Sequence, residues 1–145
     1  SKLMSNMDVI NLMIKHHPAA QYAPDRHYSY CNTNYCIPGA VIEKVTGEKL
    51  GTFLRKTFFD PLGMHDTYVY TPQKDAPRQG QSLTYDYRSI PIADECYDGV
   101  TGDKNVYSTP EDLLKWEQSL YNRKLFTNAT LEAAYTPHSN EHLGI

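Results

Sequence analysis

The sequence predicts a mainly α domain interrupted by one long irregular connection, and three observations lead there. Apolar residues recur at three- and four-residue spacing in separate segments on both sides of the chain's middle. The string Ser108-Thr109-Pro110-Glu111-Asp112 joins hydroxyl caps, a proline and two acids, as a helix start requires. Between the helical halves, residues 65–107 hold many Gly, Pro, Asp and Tyr and show no helical period. So irregular a stretch inside a compact domain is usually a site wall or functional loop.

Residues 8–16 read as a short helix, with Val9, Leu12, Met13 and His16 on one face and Pro18 as its stop. A loop follows, with Pro24-Asp25 as a turn. Asn32, Thr33 and Asn34 are all good caps for the next helix, whose apolar face is Ile37, Val41, Ile42 and Val45. Pro38 is expected in its first turns, where a missing N–H costs little, and Gly47 is its terminator. Residues 49–60 form another helix through Leu50, Phe53, Leu54 and Phe58, closed by Pro61 and turned by Leu62-Gly63-Met64. These two helices make an αα-hairpin.

Residues 67–70 and 83–87 have the composition of short strands, and disorder and a site wall are equal alternatives for residues 73–81. In the helix after Thr109, Leu113, Trp116 and Leu120 form the buried face, with Leu114 beside it. Phe126-Thr127 opens a last short helix that runs to Tyr135 and ends at Pro137.

Four residues in ten are hydrophobic, including 12 Tyr, 4 Phe and 1 Trp among 145 residues, which suffices for the core of one domain. The formal net charge is −3 and the Lys and Arg are scattered, which argues against nucleic acid as a partner. Apolar runs are too short to span a bilayer, and no signal-peptide pattern opens the chain. Cys31, Cys36 and Cys96 are odd in number and lack tight spacing, so two of them are expected as buried small hydrophobes rather than as a disulfide. His16, His17, His27, Cys31 and Cys36 match no standard zinc spacing, so no metal and no cofactor is expected. Asn128-Ala129-Thr130 has the form of a glycosylation sequon, but helix capping accounts for the same residues.

Three ordered stretches carry a family resemblance. The first is Tyr28-Ser29-Tyr30-Cys31-Asn32-Thr33-Asn34-Tyr35, with Gly39 and Ile42-Glu43-Lys44-Val45-Thr46-Gly47 after it. The second is Phe59-Asp60-Pro61-Leu62-Gly63-Met64, with Thr67 soon after. The third is Gly102-Asp103-Lys104, followed by Tyr107-Ser108-Thr109-Pro110-Glu111-Asp112-Leu113-Leu114-Lys115-Trp116. Together they resemble the serine β-lactamase-like hydrolases: class C β-lactamases, penicillin-binding proteins, D-aminopeptidases and related esterases. The resemblance covers roughly residues 20 to 137.

The resemblance implies that the chain is the helical lobe of the β-lactamase/transpeptidase-like α/β fold, a single domain spanning residues 1–145. It implies acyl transfer from an amide, β-lactam or ester to a serine. Of the family's three catalytic motifs, Tyr-x-Asn matches Tyr30-Cys31-Asn32. Tyr30 would take the serine's proton or pass it to the leaving group, and Asn32 would present its amide to the substrate's acyl-side carbonyl. Ser-x-x-Lys is not found: Thr71-Pro72-Gln73-Lys74 and Thr101-Gly102-Asp103-Lys104 carry Thr and lie downstream of Tyr30. His142-Leu143-Gly144 has the form of the third motif but follows Tyr30 too soon.

The chain is therefore expected to be inactive by itself and marginally stable, with an apolar face that a homodimer would cover. The resemblance further implies a small-molecule or peptide substrate and an extracytoplasmic location. A non-catalytic ligand-binding or sensor module of the same fold is the competing expectation. Tyr85, Tyr87, Tyr97 and Tyr107 are candidates to line a cleft, while His65 and Asp66 are assigned no role.

Overall fold

The structure is a computed structural model and describes residues 3–23, 28–72 and 79–137. The Pro24-Asp25 turn, His27, Lys74, most of the 73–81 stretch and His142-Leu143-Gly144 lie outside the described residues.

Helix α1 (Asn6–His16) starts before residue 8 because Ser5 and Asp8 form a reciprocal capping box, each side chain bonding the other's backbone N–H. It ends at His17, in the left-handed conformation (φ 44°), just ahead of Pro18. Its predicted apolar face is not its packing face: Leu12 and Met13 are exposed, and the residue α1 buries is Asn6. The Asn6 carboxamide donates to the Thr101 carbonyl at 2.8 Å and the Cys36 carbonyl at 3.2 Å, and its oxygen accepts the Thr101 N–H at 2.8 Å. A polar side chain therefore docks α1, and every one of those groups is satisfied.

Helix α2 (Thr33–Thr46) closes at Gly47 (φ 72°), whose N–H reaches the Glu43 carbonyl. It buries Cys36, Gly39 and Ala40, while Val41 and Val45 of the predicted face are exposed. Small residues win here because they admit close approach. A Cβ on Gly39 would lie 3.1 Å from Asn6 Nδ2 and 3.2 Å from the Thr101 carbonyl oxygen. Pro38 sits deeper than expected, inside the helix, so it removes a bond the Asn34 carbonyl would have received.

Residues 50–62 form one continuous helical run: α3 (Leu50–Leu54), a π-helical turn (Arg55–Phe59) and α4 (Asp60–Leu62). Pro61 lies within the last turn, and Gly63 (φ 71°) ends it. The i→i+5 turn adds a residue to the helical phase, so Phe58 and Phe59 both turn inward. Phe59 is buried, and Phe58 joins Trp116 (6.1 Å) and Phe126 (6.0 Å) in an aromatic cluster.

The irregular connection holds a two-stranded antiparallel pair, β1 (Tyr68–Val69) and β2 (Val106–Tyr107), in register Tyr68↔Tyr107 and Val69↔Val106. The Tyr68 and Tyr107 rings stack at 5.6 Å. The strand expected at residues 83–87 reduces to a single bridge, Tyr85↔Pro91, because Asp86 folds the chain back by accepting the Arg88 and Ile90 N–H groups. A 3₁₀ turn (Cys96–Gly99) precedes β2.

Helix α5 (Pro110–Asn122) begins as predicted, with Thr109 Oγ1 accepting the Asp112 N–H. Its buried residues are Asp112 and Ser119; Leu113, expected in the core, is 55% exposed, and Trp116 is half-buried. The Asp112 carboxylate explains the difference, since it receives the Asp66 N–H and the Thr67 hydroxyl, each at 2.9 Å, and so faces the turn after α4. Helix α6 (Asn128–Tyr135) is capped by Thr127 through the Thr130 N–H. All three cysteines are free; Cys36 alone is buried, against the two expected. Among the described residues, no helix is long and apolar enough to cross a membrane.

Candidate active site

The approach to α2 places the two predicted site residues. Asn32 takes the cap position of α2 with helical dihedrals (φ −58°, ψ −32°), and its carbonyl accepts from both the Tyr35 and Cys36 N–H groups. Its side chain makes no capping hydrogen bond, which corrects the expectation that the carboxamide caps the helix. At exposed Cys31, the nearby Thr33 hydroxyl and N–H lead the influences that hold the thiol below the usual cysteine range. The Asn32 carboxamide remains exposed and uncommitted.

Tyr30 is 67% exposed, and its ring lies 6.3 Å from that of Tyr35, tilted by 39°. Tyr30 and Asn32 thus both open to solvent at the α2 entrance. The cleft candidates separate: Tyr85, Tyr87 and Tyr97 are exposed, while Tyr107 packs between Tyr68 and Tyr70. A groove of about 830 Å³ lies elsewhere, between the start of α1, α3 and β1, lined by residues including Met7, Glu43, Arg55 and Val69. Neither Tyr30 nor Asn32 lines it.

The three motif stretches meet in space. Gly102 (φ 105°) lies against the first turn of α2, where a Cβ would stand 2.5 Å from the Tyr35 carbonyl oxygen. Only glycine fits there, which brings the start of the third stretch against the first. The second and third are joined through Asp112, Thr67 and Ser108, whose hydroxyl lies 2.8 Å from that of Thr67. Lys115 completes this junction by donating to Asp112 Oδ1 (2.7 Å) and to the Gly63 carbonyl (2.6 Å). Burial alone would raise the Asp112 carboxyl, but Lys115, Thr67 and the Asp66 N–H outweigh it and hold the group below the usual range. Asp66 therefore has a structural role that its sequence position did not signal.

Residues 9–142 match the family model described as Beta-lactamase. The chain belongs to the beta-lactamase family. It is a mainly α part of that fold with few strands, drawn from a group of serine hydrolases that includes penicillin-binding proteins and D-aminopeptidases. It is 27% identical to penicillin-binding protein 4* of Bacillus subtilis, over 94% of this chain and 33% of that protein. It is 28% identical to the D-aminopeptidase of Brucella anthropi, over 67% of this chain and 18% of that protein. The octameric penicillin-binding protein homologue of Pyrococcus abyssi superposes with a TM-score of 0.76 at 24% identity, over 97% of this chain and 32% of that one. The chain spans a third or less of the curated relatives named here.

Proposed function

We propose that this beta-lactamase-family chain is the helical lobe of a larger serine hydrolase, to which it supplies Tyr30 and Asn32. The hydrolase opens an amide, β-lactam or ester bond through an acyl-enzyme. The observation that carries this reading is the Asn32 side chain, exposed at the α2 entrance and released from capping, two positions from the exposed Tyr30. A serine hydroxyl needs a nearby base to become nucleophilic, and a phenol beside a lysine ammonium can act as that base. Tyr30 then receives the serine proton and returns it to the leaving group. The Asn32 amide donates to the acyl-side carbonyl of the substrate and so fixes the scissile bond against the serine. The nucleophile and its lysine come from outside residues 1–145.

Kinship with penicillin-binding proteins supports an extracytoplasmic site of action and a small-molecule or peptide substrate. The chain by itself is inactive on this reading. It also exposes apolar side chains such as Ile14, Val45, Leu113 and Leu114, which the remainder of the enzyme or a second copy would cover. The test is a fluorescent penicillin or fluorophosphonate added to the full-length protein. We expect a covalent adduct on a serine upstream of Tyr30. A folded full-length protein with no adduct would instead favour a ligand-binding or sensor module of the same fold.

A further inference from the structure

Tyr30 lies outside regular structure, just before α2 begins, and its ring is exposed. Among the described residues, the aromatic ring beside it is that of Tyr35. A side chain placed as Tyr30 is has several staggered rotamers open to it, and a turn about χ1 carries a tyrosine hydroxyl through several ångströms. A base must stand within hydrogen-bond reach of the proton it takes, so the rotamer decides whether Tyr30 serves as one.

Tyr35 is fixed where Tyr30 is not. It lies in the first turn of α2, and its N–H donates to the Asn32 carbonyl at 2.9 Å. Its own carbonyl is backed by Gly102, where an added Cβ would stand 2.5 Å from the oxygen. The Tyr35 backbone is thus held by the first motif stretch and the third together. In a helix an aromatic side chain keeps to two χ1 wells, both of which aim it back toward the helix start. That direction brings the Tyr35 ring against the Tyr30 ring, with centroids 6.3 Å apart and planes tilted by 39°. The separation lies within the range of favourable aromatic contacts.

We propose that Tyr35 is a positioning residue for Tyr30: its ring, braced by α2 and Gly102, holds the phenol in the rotamer that takes the serine proton. The Tyr35 ring supplies the contact, and the Tyr35 hydroxyl has no part in it. The proposal rests on the acyl-enzyme reading above.

The test uses the full-length protein and a fluorescent penicillin, with the acylation rate constant at saturation and the binding constant read separately. We expect Tyr35→Leu to lower the rate constant about tenfold or more with the binding constant unchanged, the scale of a small misplacement of a reacting group. Tyr35→Phe, which keeps the ring, retains most of the wild-type rate. In a Tyr30→Phe background Tyr35→Leu has no further effect, because the hydroxyl that Tyr35 places is already gone. Tyr35→Met is measured alongside, so that one misfolded variant does not decide the result, and thermal unfolding checks each. Wild-type acylation in Tyr35→Leu, a Tyr35→Phe as slow as Tyr35→Leu, or equal slowing by Tyr35→Leu in both backgrounds overturns the role of Tyr35 while leaving the acyl-enzyme intact. Loss of the fold in both Tyr35→Leu and Tyr35→Met makes Tyr35 a structural residue and likewise overturns it. A wild-type protein that forms no adduct removes the acyl-enzyme reading and the proposal with it.

Discussion

Asp112 and Lys115 stand one turn apart on α5, with Oδ1 and Nζ 2.7 Å apart, and the same ammonium donates to the Gly63 carbonyl 2.6 Å away. Asp112 is 1% exposed, whereas 41% of the Lys115 side chain meets solvent. The pair is therefore half-screened, and its weight comes from the hydrogen bonds converging on the buried partner. Replacing Asp112 by Ala strands the Asp66 N–H, leaves the Thr67 hydroxyl with Ser108 alone and takes the carboxylate from Lys115. We expect a loss of about 2–3 kcal/mol, read by urea unfolding. A loss below about 0.5 kcal/mol, the scale of a surface change, would remove this junction from the account.

The same carboxylate predicts an acid limb in the stability curve. Its folded pKa lies below the unfolded value of about 3.9, so its contribution is complete above that pH and is lost as pH falls through the folded pKa. Wild type and Asp112→Asn should both be measured by unfolding between about pH 6 and pH 2. The two curves should run parallel at the upper end and converge at the lower. Curves that stay parallel throughout would contradict the depressed carboxyl.

Two glycines with positive φ separate strain from crowding. Gly47 (φ 72°) has nothing within 4 Å of an added Cβ, whereas Gly102 (φ 105°) meets the Tyr35 backbone. Gly47→Ala carries only the left-handed penalty, about 1–2 kcal/mol. Gly102→Ala adds a clash that backbone must relieve, and about 3 kcal/mol or more is expected. Thermal unfolding of both variants tests the order, and equal losses would show that the Gly102 contact relaxes freely.

Tyr30 and Asn32 should behave as residues that act without stabilising. Both are exposed, so Tyr30→Phe and Asn32→Ala are expected to shift unfolding by less than about 0.5 kcal/mol. In the full-length protein, Tyr30→Phe should slow acylation about 10²–10⁴-fold, the range for losing a general base. Unchanged acylation in Tyr30→Phe would assign the proton transfer to another group.

Helix positions and caps were legible in the sequence because they depend on neighbours in the chain. The Thr109 and Thr127 caps and the Gly47 terminator fall where local chemistry puts them. Packing faces were not legible. Leu113 and Val45 satisfy helical periodicity yet face out, while Asn6, Asp112 and Ser119 face in. Periodicity counts apolar residues and misses a face held by polar side chains with distant partners, such as Asn6 on Thr101. The π-helical turn was also invisible, since no single residue marks it. At the candidate site, motif order pointed to Tyr30 and Asn32, but the seating of Gly102 against the Tyr35 carbonyl emerges only once the chain is folded, because the two are far apart in sequence.

The bond between Asn6 and Thr101 spans 95 positions of chain, and that has a kinetic consequence. At a synthesis rate of about 5–20 residues per second, α1 waits roughly 5–20 s for its partner to be made. Until then its carboxamide can reach the Cys36 carbonyl but neither the Thr101 carbonyl nor the Thr101 N–H, so the helix is only partly docked. Long-range closure of this kind raises contact order and slows folding, so α1 completes its docking late in the folding sequence.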